Sequence, residues 1–513
     1  MTYAASLSDR LPGGAPDQPE TGWIHTLSVG GEYGITAAVR DFAEVLDWQE
    51  HRRELTQGYY RLIHPPRLQH LKHRLERKYP GFTAVLYASA ALAEKELRDL
   101  LTIQEASADT LDTHSGLPSS LNGDGPHVLA LGSDSLPAGA VLVSDSDLAA
   151  DLHERNRRRG GVLSARTAAV LLGDSAPTPD PADAAFCHDR LCDLEDAPHA
   201  LFYPSGMGAV TAVLEEVLQP ATPRMIVLGN VYRDTHLLLE EQDWAGRDVH
   251  TDFLDTHDLD GLRERLSASD VAGVFVETIT NPLIEIPDLP AIADLCRAAR
   301  KPLLVDSTMA GPLNAHPLDL GADVVIHSTS KYLSGNNVHG GGVVLTRDPA
   351  WANALEQSAA TLDNRLSPLE YAPLAEGLRT FEARMARFNR NGEALAALLR
   401  DHPAVDTVHY GNDGLPDWLG GLGSVVSCDL REASMDKVAA FFDHPLPGLV
   451  KAPSLGSDNS LFCPYVLLAY YDKSEAYLRE CNLSKWLLRF AAGSEQDFTP
   501  VLRAVADALD HVH

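Results

Sequence analysis

Residues 321–336 read GADVVIHSTSKYLSGN, an apolar run that ends among small hydroxyl residues with Lys331 in their midst. A surface lysine in an ion pair needs no such setting. A lysine that forms a covalent bond beside a bound phosphate does, because burial and nearby positive charge turn its ammonium into a nucleophilic amine. Other segments supply matching parts. In PSGMGAVTAVLEEVL, small residues (Ser205, Gly206, Met207) open a helix whose first N–H groups and positive dipole end can hold a phosphate. The same pattern also suits an ordinary glycine-containing helix start. Ser328 and Ser330 add hydroxyl donors near a second point of approach. Asp306 closes the apolar run PLLVD, so its carboxylate needs a cation or several hydrogen bonds. A protonated pyridine nitrogen is one such partner; capping of the next turn is another use. Tyr232 could stack on a flat ring or simply pack. In order along the chain, these residues spell a site for a flat, phosphate-bearing aldehyde cofactor.

Such a site needs strands that end together. From about residue 197, short apolar runs (ALFYP, RMIVLGN, AGVFVET, PLLVDST, DVVIHS) alternate with helix-length amphipathic segments. This predicts an α/β fold with a mainly parallel sheet covered on both faces and a binding site at the strand C-terminal ends. The polar segments PSGMG, NVYRDTH, ETITNP, VDSTMAG and HSTSKY each follow directly after such a run. Upstream, leucine spacing predicts helices over 38–57 and 67–104 and another over 148–172, with Pro/Gly/Ser/Asp-rich breaks at 107–127 and 173–184. The expected organisation is a flexible tail (1–20), an N-terminal region with an arm and a helical insertion (21–195), a cofactor-binding large domain (196–372) and a smaller α/β domain (373–513).

The 513-residue chain has 42 basic and 72 acidic residues, a formal charge of −30, which argues against nucleic acid or an anionic membrane as partner. Its six cysteines show neither the density of a disulfide framework nor the paired spacing of a zinc site, so no metal is expected. The first residues lack a signal peptide's basic start and apolar core, and the cytoplasm is the expected location.

The motifs HSTSKYLSGNNVHGGGVV, ETITNP and VDST resemble the lysine signature, the E-S-P-T-N-P element and the V-D-N-T element of the Cys/Met-metabolism family of pyridoxal-phosphate enzymes. This is the cystathionine γ-synthase and γ-lyase group of fold type I. KAPSLGSDNSLFCPYVLLAYY makes the resemblance closest to the long fungal-type γ-synthases. It implies a seven-stranded sheet in the large domain and pyridoxal 5'-phosphate as cofactor. Lys331 would carry the cofactor as a Schiff base and shuttle protons. Asp306 would hold the ring nitrogen protonated, supported by Thr308, and Asn281 would bond the phenolic oxygen. Tyr232 would stack on the ring and act in proton transfer. Ser205, Gly206, Met207, Ser328 and Ser330 would hold the phosphate, joined by Tyr59 and Arg61 of GYYRLIHPP reaching from a neighbouring subunit of a homodimer or homotetramer. LLRFAAGSE matches R-x-S-x-G-x-E, which makes Arg489 the clamp for the substrate α-carboxylate, with Ser454 beside it and Asn336 and His339 on the substrate side. The chain departs from the pattern at Ile279, where the family has proline, and at Tyr470, where fungal-type relatives carry histidine.

The resemblance implies γ-replacement on an amino acid with a γ leaving group, an O-acyl-homoserine or S-adenosylmethionine type, through a vinylglycine-type imine that a second small nucleophile attacks. A γ-lyase giving a 2-oxo acid and ammonia is the alternative. A catalytically silent cofactor-binding protein is a third, opposed by the joint presence of Lys331, Asp306 and Arg489.

Overall fold

The computed structural model describes residues 65–513 except 105–111, 122, 124, 176–177, 242–243, 245–247, 337, 412–413 and 472, together with 28–29, 36–37, 39, 42–43 and 45. The expected tail, most of the expected helix over 38–57, and both Tyr59 and Arg61 lie outside the described residues.

Residues 67–104 are not one helical stretch. Pro80-Gly81 breaks the pattern, with Gly81 at φ +89°, a conformation that suits glycine. The chain divides there into a helix (Pro66–Lys78), strand β1 (Thr83–Tyr87) and a second helix (Ala90–Ile103) capped by the Ser89 hydroxyl. Strand β1 joins β2 (Asp112–His114), β3 (His127–Ala130) and β4 (Gly139–Val143) in a four-stranded sheet of order β1-β4-β3-β2. Period-2 alternation is hidden because both faces are covered. Leu86 and Leu142 pack with leucines of Pro66–Lys78, whereas Val85 and Val141 pack with those of Ala90–Ile103.

The large sheet contains β5 (His199–Tyr203), β6 (Arg224–Leu228), β7 (His250–Leu254), β8 (Val271–Glu277), β9 (Leu303–Asp306), β10 (Val324–Ser328) and β11 (Gly342–Thr346). Its order is β5-β11-β10-β9-β8-β6-β7, and only β11 runs antiparallel to its neighbours. This is the expected mainly parallel seven-stranded sheet. The central runs are apolar throughout because helices cover both sides, so polar chemistry is pushed to the strand ends. A five-stranded sheet follows: β12 (Val405–His409), β13 (Val425–Leu430), β14 (Leu449–Lys451), β15 (Ser460–Pro464) and β16 (Leu488–Ala491), in the order β12-β13-β16-β15-β14. Phe462 of β15 stacks on Phe490 of β16 with centroids 4.7 Å apart. One apolar core joins this sheet to the large one through Met309, Tyr332 and Phe388. No helix among the described residues is long and apolar enough to cross a membrane.

The N-terminal sheet unit meets the large sheet's helices through buried charge. Lys95 Nζ reaches Glu215 at 2.9 Å and Asp99 at 3.0 Å. Arg155 Nε donates to Glu96 at 2.6 Å, and Arg159 bonds Glu215 and Glu241. Burial alone would raise the Glu96 pKa, yet Arg159, Lys95 and Arg155 together hold it below the usual carboxylate value of 4.5. Its stabilising contribution is therefore present above that value and is lost as pH falls through the lower, folded-state pKa. Glu96→Gln leaves three cations short of an anion and should cost about 3–5 kcal/mol. Thermal unfolding at neutral pH checks this: the variant should melt well below the wild type, with the gap narrowing on acidification.

Candidate active site

The C-terminal ends of β5, β6, β8, β9 and β10 meet at a cavity of about 150 Å³. Lys331 lies three residues past β10 and is only 3 % exposed. Its Nζ donates to the Ser454 hydroxyl across the boundary between the two larger sheets. Ser454 sits at φ +127°, a region that a non-glycine residue occupies only at a cost of roughly 1–3 kcal/mol. That conformation presents its hydroxyl to Lys331 and its carbonyl to Arg489 Nη2, 2.7 Å away. Arg489 also donates to Asn281 Oδ1 at 3.1 Å, and its guanidinium lies over the Tyr465 ring at 4.4 Å. Its Nε is buried with no hydrogen-bond partner among the described residues. Asn281 completes the group by donating to the Tyr465 hydroxyl at 3.2 Å.

On the opposite side, Asp306 ends β9 in register with Glu277 at the end of β8, so two carboxylates stand side by side. Asp306 Oδ1 accepts the Thr308 N–H at 2.9 Å, and Thr308 Oγ1 accepts the Ser328 N–H at 2.8 Å. Glu277 accepts the backbone N–H of Tyr232, whose hydroxyl donates to Asp234 at 2.8 Å. The helix Gly206–Val217 opens onto the cavity with Ser205 as its cap, so the N–H groups of Gly206 and Met207 have no acceptor within the helix. A Cβ on Gly206 would lie 2.8 Å from the Ser328 Cβ, which explains the glycine: helix start and β10 end touch there.

The fourteen expected residues that lie among the described ones divide clearly. Ser205, Gly206, Met207, Tyr232, Asn281, Asp306, Thr308, Ser328, Ser330, Lys331, Ser454 and Arg489 all line the cavity. The Ser205 hydroxyl, however, is committed to the Gly160 carbonyl and the Gly208 N–H, and that of Ser330 to Gly341. His339 does not face the cavity. It is fully buried, bonded to Thr329 at 2.7 Å and to Glu370 at 3.1 Å. Asn336 also lies apart, its side chain on the Pro373 carbonyl and the Val338 N–H, and Asn337 is outside the described residues. Sequence reasoning missed Arg157, Gly160, Asp234, Glu277 and Tyr465, all of which line the cavity. Glu277 carries the signal that exposed Asp306, a carboxylate closing an apolar strand. Arg157 carries none, since RNRRRGG reads as a basic helix C-terminus.

Residues 180–509 match the family described as Cys/Met metabolism PLP-dependent enzyme. The chain is 28 % identical over 330 residues to the cystathionine γ-lyase of Bacillus subtilis (strain 168), covering 63 % of this chain and 85 % of that one. It is 34 % identical over 269 residues to the cystathionine γ-synthase of Mycobacterium tuberculosis (strain ATCC 25618 / H37Rv), covering 50 % and 67 %. The solved cystathionine γ-synthase of Xanthomonas oryzae pv. oryzae, in complex with aminoacrylate and cysteine, superposes with a TM-score of 0.61 at 28 % identity, over 65 % of this chain and 86 % of that one.

The cavity fits a flat phosphorylated aldehyde. It offers a helix N-terminus cornered by glycine, a carboxylate opposite it, and a buried lysine between them. Gly206→Ala would force the helix start away from Ser328. Titration of the apo-protein with pyridoxal phosphate, followed by absorbance, should show at least about tenfold weaker binding, a loss of about 1.4 kcal/mol or more.

Proposed function

The chain belongs to the Cys/Met metabolism PLP-dependent enzyme family, and on that premise we propose that it catalyses γ-replacement on an amino acid with a leaving group on Cγ, of the O-acyl-homoserine or sulfonium type. The carrying observation is that Lys331, Asp306 and Arg489, from two different sheets, line one small cavity with Ser454 bridging lysine and arginine. In this reading Lys331 holds the aldehyde carbon of the cofactor, Asp306 its ring nitrogen and Asn281 its phenolic oxygen. Tyr232 would cover the ring face, while Gly206, Met207 and Ser328 would hold the phosphate, with Ser330, its hydroxyl held by Gly341, lining the same cavity. Bound pyridoxal phosphate supplies an electron sink for the negative charge that develops on the amino acid.

The chain's own residues do the rest. Arg489 grips the α-carboxylate with a planar fork held in place by Asn281 and Ser454. That grip fixes Cα and Cβ relative to Lys331, the one lysine lining the cavity among the described residues. Lys331 Nζ takes a proton from Cα, gives it up, and then takes a second from Cβ as the γ group departs with its bonding electrons; once the nucleophile has bonded to Cγ, protons are returned to Cβ and Cα. Ser454 keeps Nζ aimed between transfers. The homodimer or homotetramer with shared sites is part of the proposal, supported by the resemblance that sends Tyr59 and Arg61 to a neighbouring copy's phosphate.

The same residues serve γ-elimination, and the similarity to a γ-lyase of Bacillus subtilis favours carrying that second reading. One experiment separates them. Holo-protein in deuterated water is offered O-succinyl-, O-acetyl- and O-phosphohomoserine and S-adenosylmethionine in turn, without a nucleophile. Deuterium at Cα and Cβ with loss of the γ group from one donor supports the γ chemistry. Accumulation of 2-oxobutyrate that persists when a thiol nucleophile such as cysteine is added, with no Cγ–S product, moves the assignment to the lyase. No exchange with any donor overturns both. Lys331→Ala should abolish exchange while leaving the thermal melt near that of wild type. Arg489→Lys should raise KM about tenfold or more through loss of a bidentate contact worth about 1.5–3 kcal/mol.

A further inference from the structure

The family match begins at residue 180, yet one wall of the cavity comes from before it. Helix Ser146–Arg159, part of the N-terminal sheet unit, delivers Arg157 in its last turn and ends at Gly160, which is in the left-handed conformation at φ +71°. A Cβ at Gly160 would collide with the Gly208 N at 2.2 Å, so the helix end lies directly against the start of Gly206–Val217. This close approach sets Arg157 beside the loop after β6.

There Arg157 Nη1 donates to Asp234 Oδ1, while Asp234 Oδ2 accepts the Tyr232 O–H at 2.8 Å. The two charged side chains are 10 % and 3 % exposed, and all three residues line the cavity. We propose that the Arg157–Asp234 pair is a positioning relay, built by this chain's own N-terminal unit, that orients the Tyr232 hydroxyl and sets the ionisation of its phenol. The role of that phenol in proton transfer rests on the family resemblance and on the γ chemistry given under Proposed function; the relay itself does not.

The physical case is local. The single phenolic proton is committed to Asp234, so the oxygen turns its lone pairs to the cavity and is an acceptor there. Asp234 disfavours phenolate and Arg157 favours it, and the carboxylate between them balances the two. Burial alone would lower the Arg157 pKa, but Asp234 and Glu154 hold it above its ordinary value. Glu154 Oε1 lies 3.6 Å from Arg157 Nη2, and His153 is in electrostatic contact with Arg157. The other ionisable groups facing this part of the cavity are Glu277, Asp306, Lys331, Tyr465 and Arg489.

A relay of opposite charges predicts opposite responses, which a merely structural pair does not. Asp234→Asn keeps the shape and removes the anion, leaving Arg157 beside the phenol; the Tyr232 titration should move to lower pH by about one unit or more. Arg157→Gln leaves the anion alone, and the titration should move to higher pH by a similar amount. The double variant should return close to wild type. Each is read in the holo-protein without substrate, as the tyrosinate absorbance difference from the same variant carrying Tyr232→Phe, and separately, with an amino-acid donor added, as the pH dependence of Cα deuterium exchange. Shifts in one direction for both single variants, or no shift in either, overturn the relay. If Asp234→Asn fails to fold, Arg157→Gln alone keeps the test: a shift to higher pH is expected, and no shift or a shift to lower pH overturns the relay. The absorbance readout needs no turnover, so loss of the γ-chemistry reading and loss of the relay are told apart.

Discussion

Strands buried on both faces have no place for a polar side chain except their ends. The central strands β6, β8, β9 and β10 are sealed between apolar layers contributed by helices on either side. Every group that must meet water, an ion or a ligand is therefore displaced to the loops that leave the sheet. Because those strands run parallel, their exits lie at one edge, and Tyr232, Asn281, Asp306 and Lys331 converge there although about a hundred residues of chain separate the first from the last. The cavity follows from the sheet's burial.

A second constraint is charge. Three cations (Lys331, Arg489, Arg157) and three carboxylates (Asp306, Glu277, Asp234) share one small, partly dry cavity. Each would be costly there without its partners. The structure meets this with short fixed links: Ser454 between lysine and arginine, Thr308 between Asp306 and Ser328, Asp234 between tyrosine and arginine. Ser454 achieves its link in an unfavourable backbone conformation, the kind of local cost that surrounding packing sustains at a site of chemistry.

The N-terminal unit does more than fill space. Its sheet is covered on both faces, its charged residues interlock with Glu215 and Glu241 of the large domain, and its helix Ser146–Arg159 adds a wall to the cavity. The sequence signalled this poorly. Strands β1 and β4 are short apolar runs that resemble the buried side of a helix when periodicity alone is consulted. The break at Pro80-Gly81 was visible, but its meaning depended on a sheet partner more than fifty residues away.

What the sequence determined by itself was the large sheet and the chemistry at its edge. Apolar runs of strand length, each followed by a polar loop, carry their own boundaries, and a lysine or carboxylate at such an end stands out locally. Twelve of the expected residues proved to share one cavity, ten of them at the exits of the large sheet and two, Ser454 and Arg489, expected only from the family resemblance. What only the tertiary structure decided was which neighbours face inward. His339 follows Lys331 by eight residues yet is spent on Thr329 and Glu370, while Arg157, in a basic helix end with no local signal, reaches the cavity. A side chain's direction is fixed by the packing of distant elements, and no local pattern encodes it.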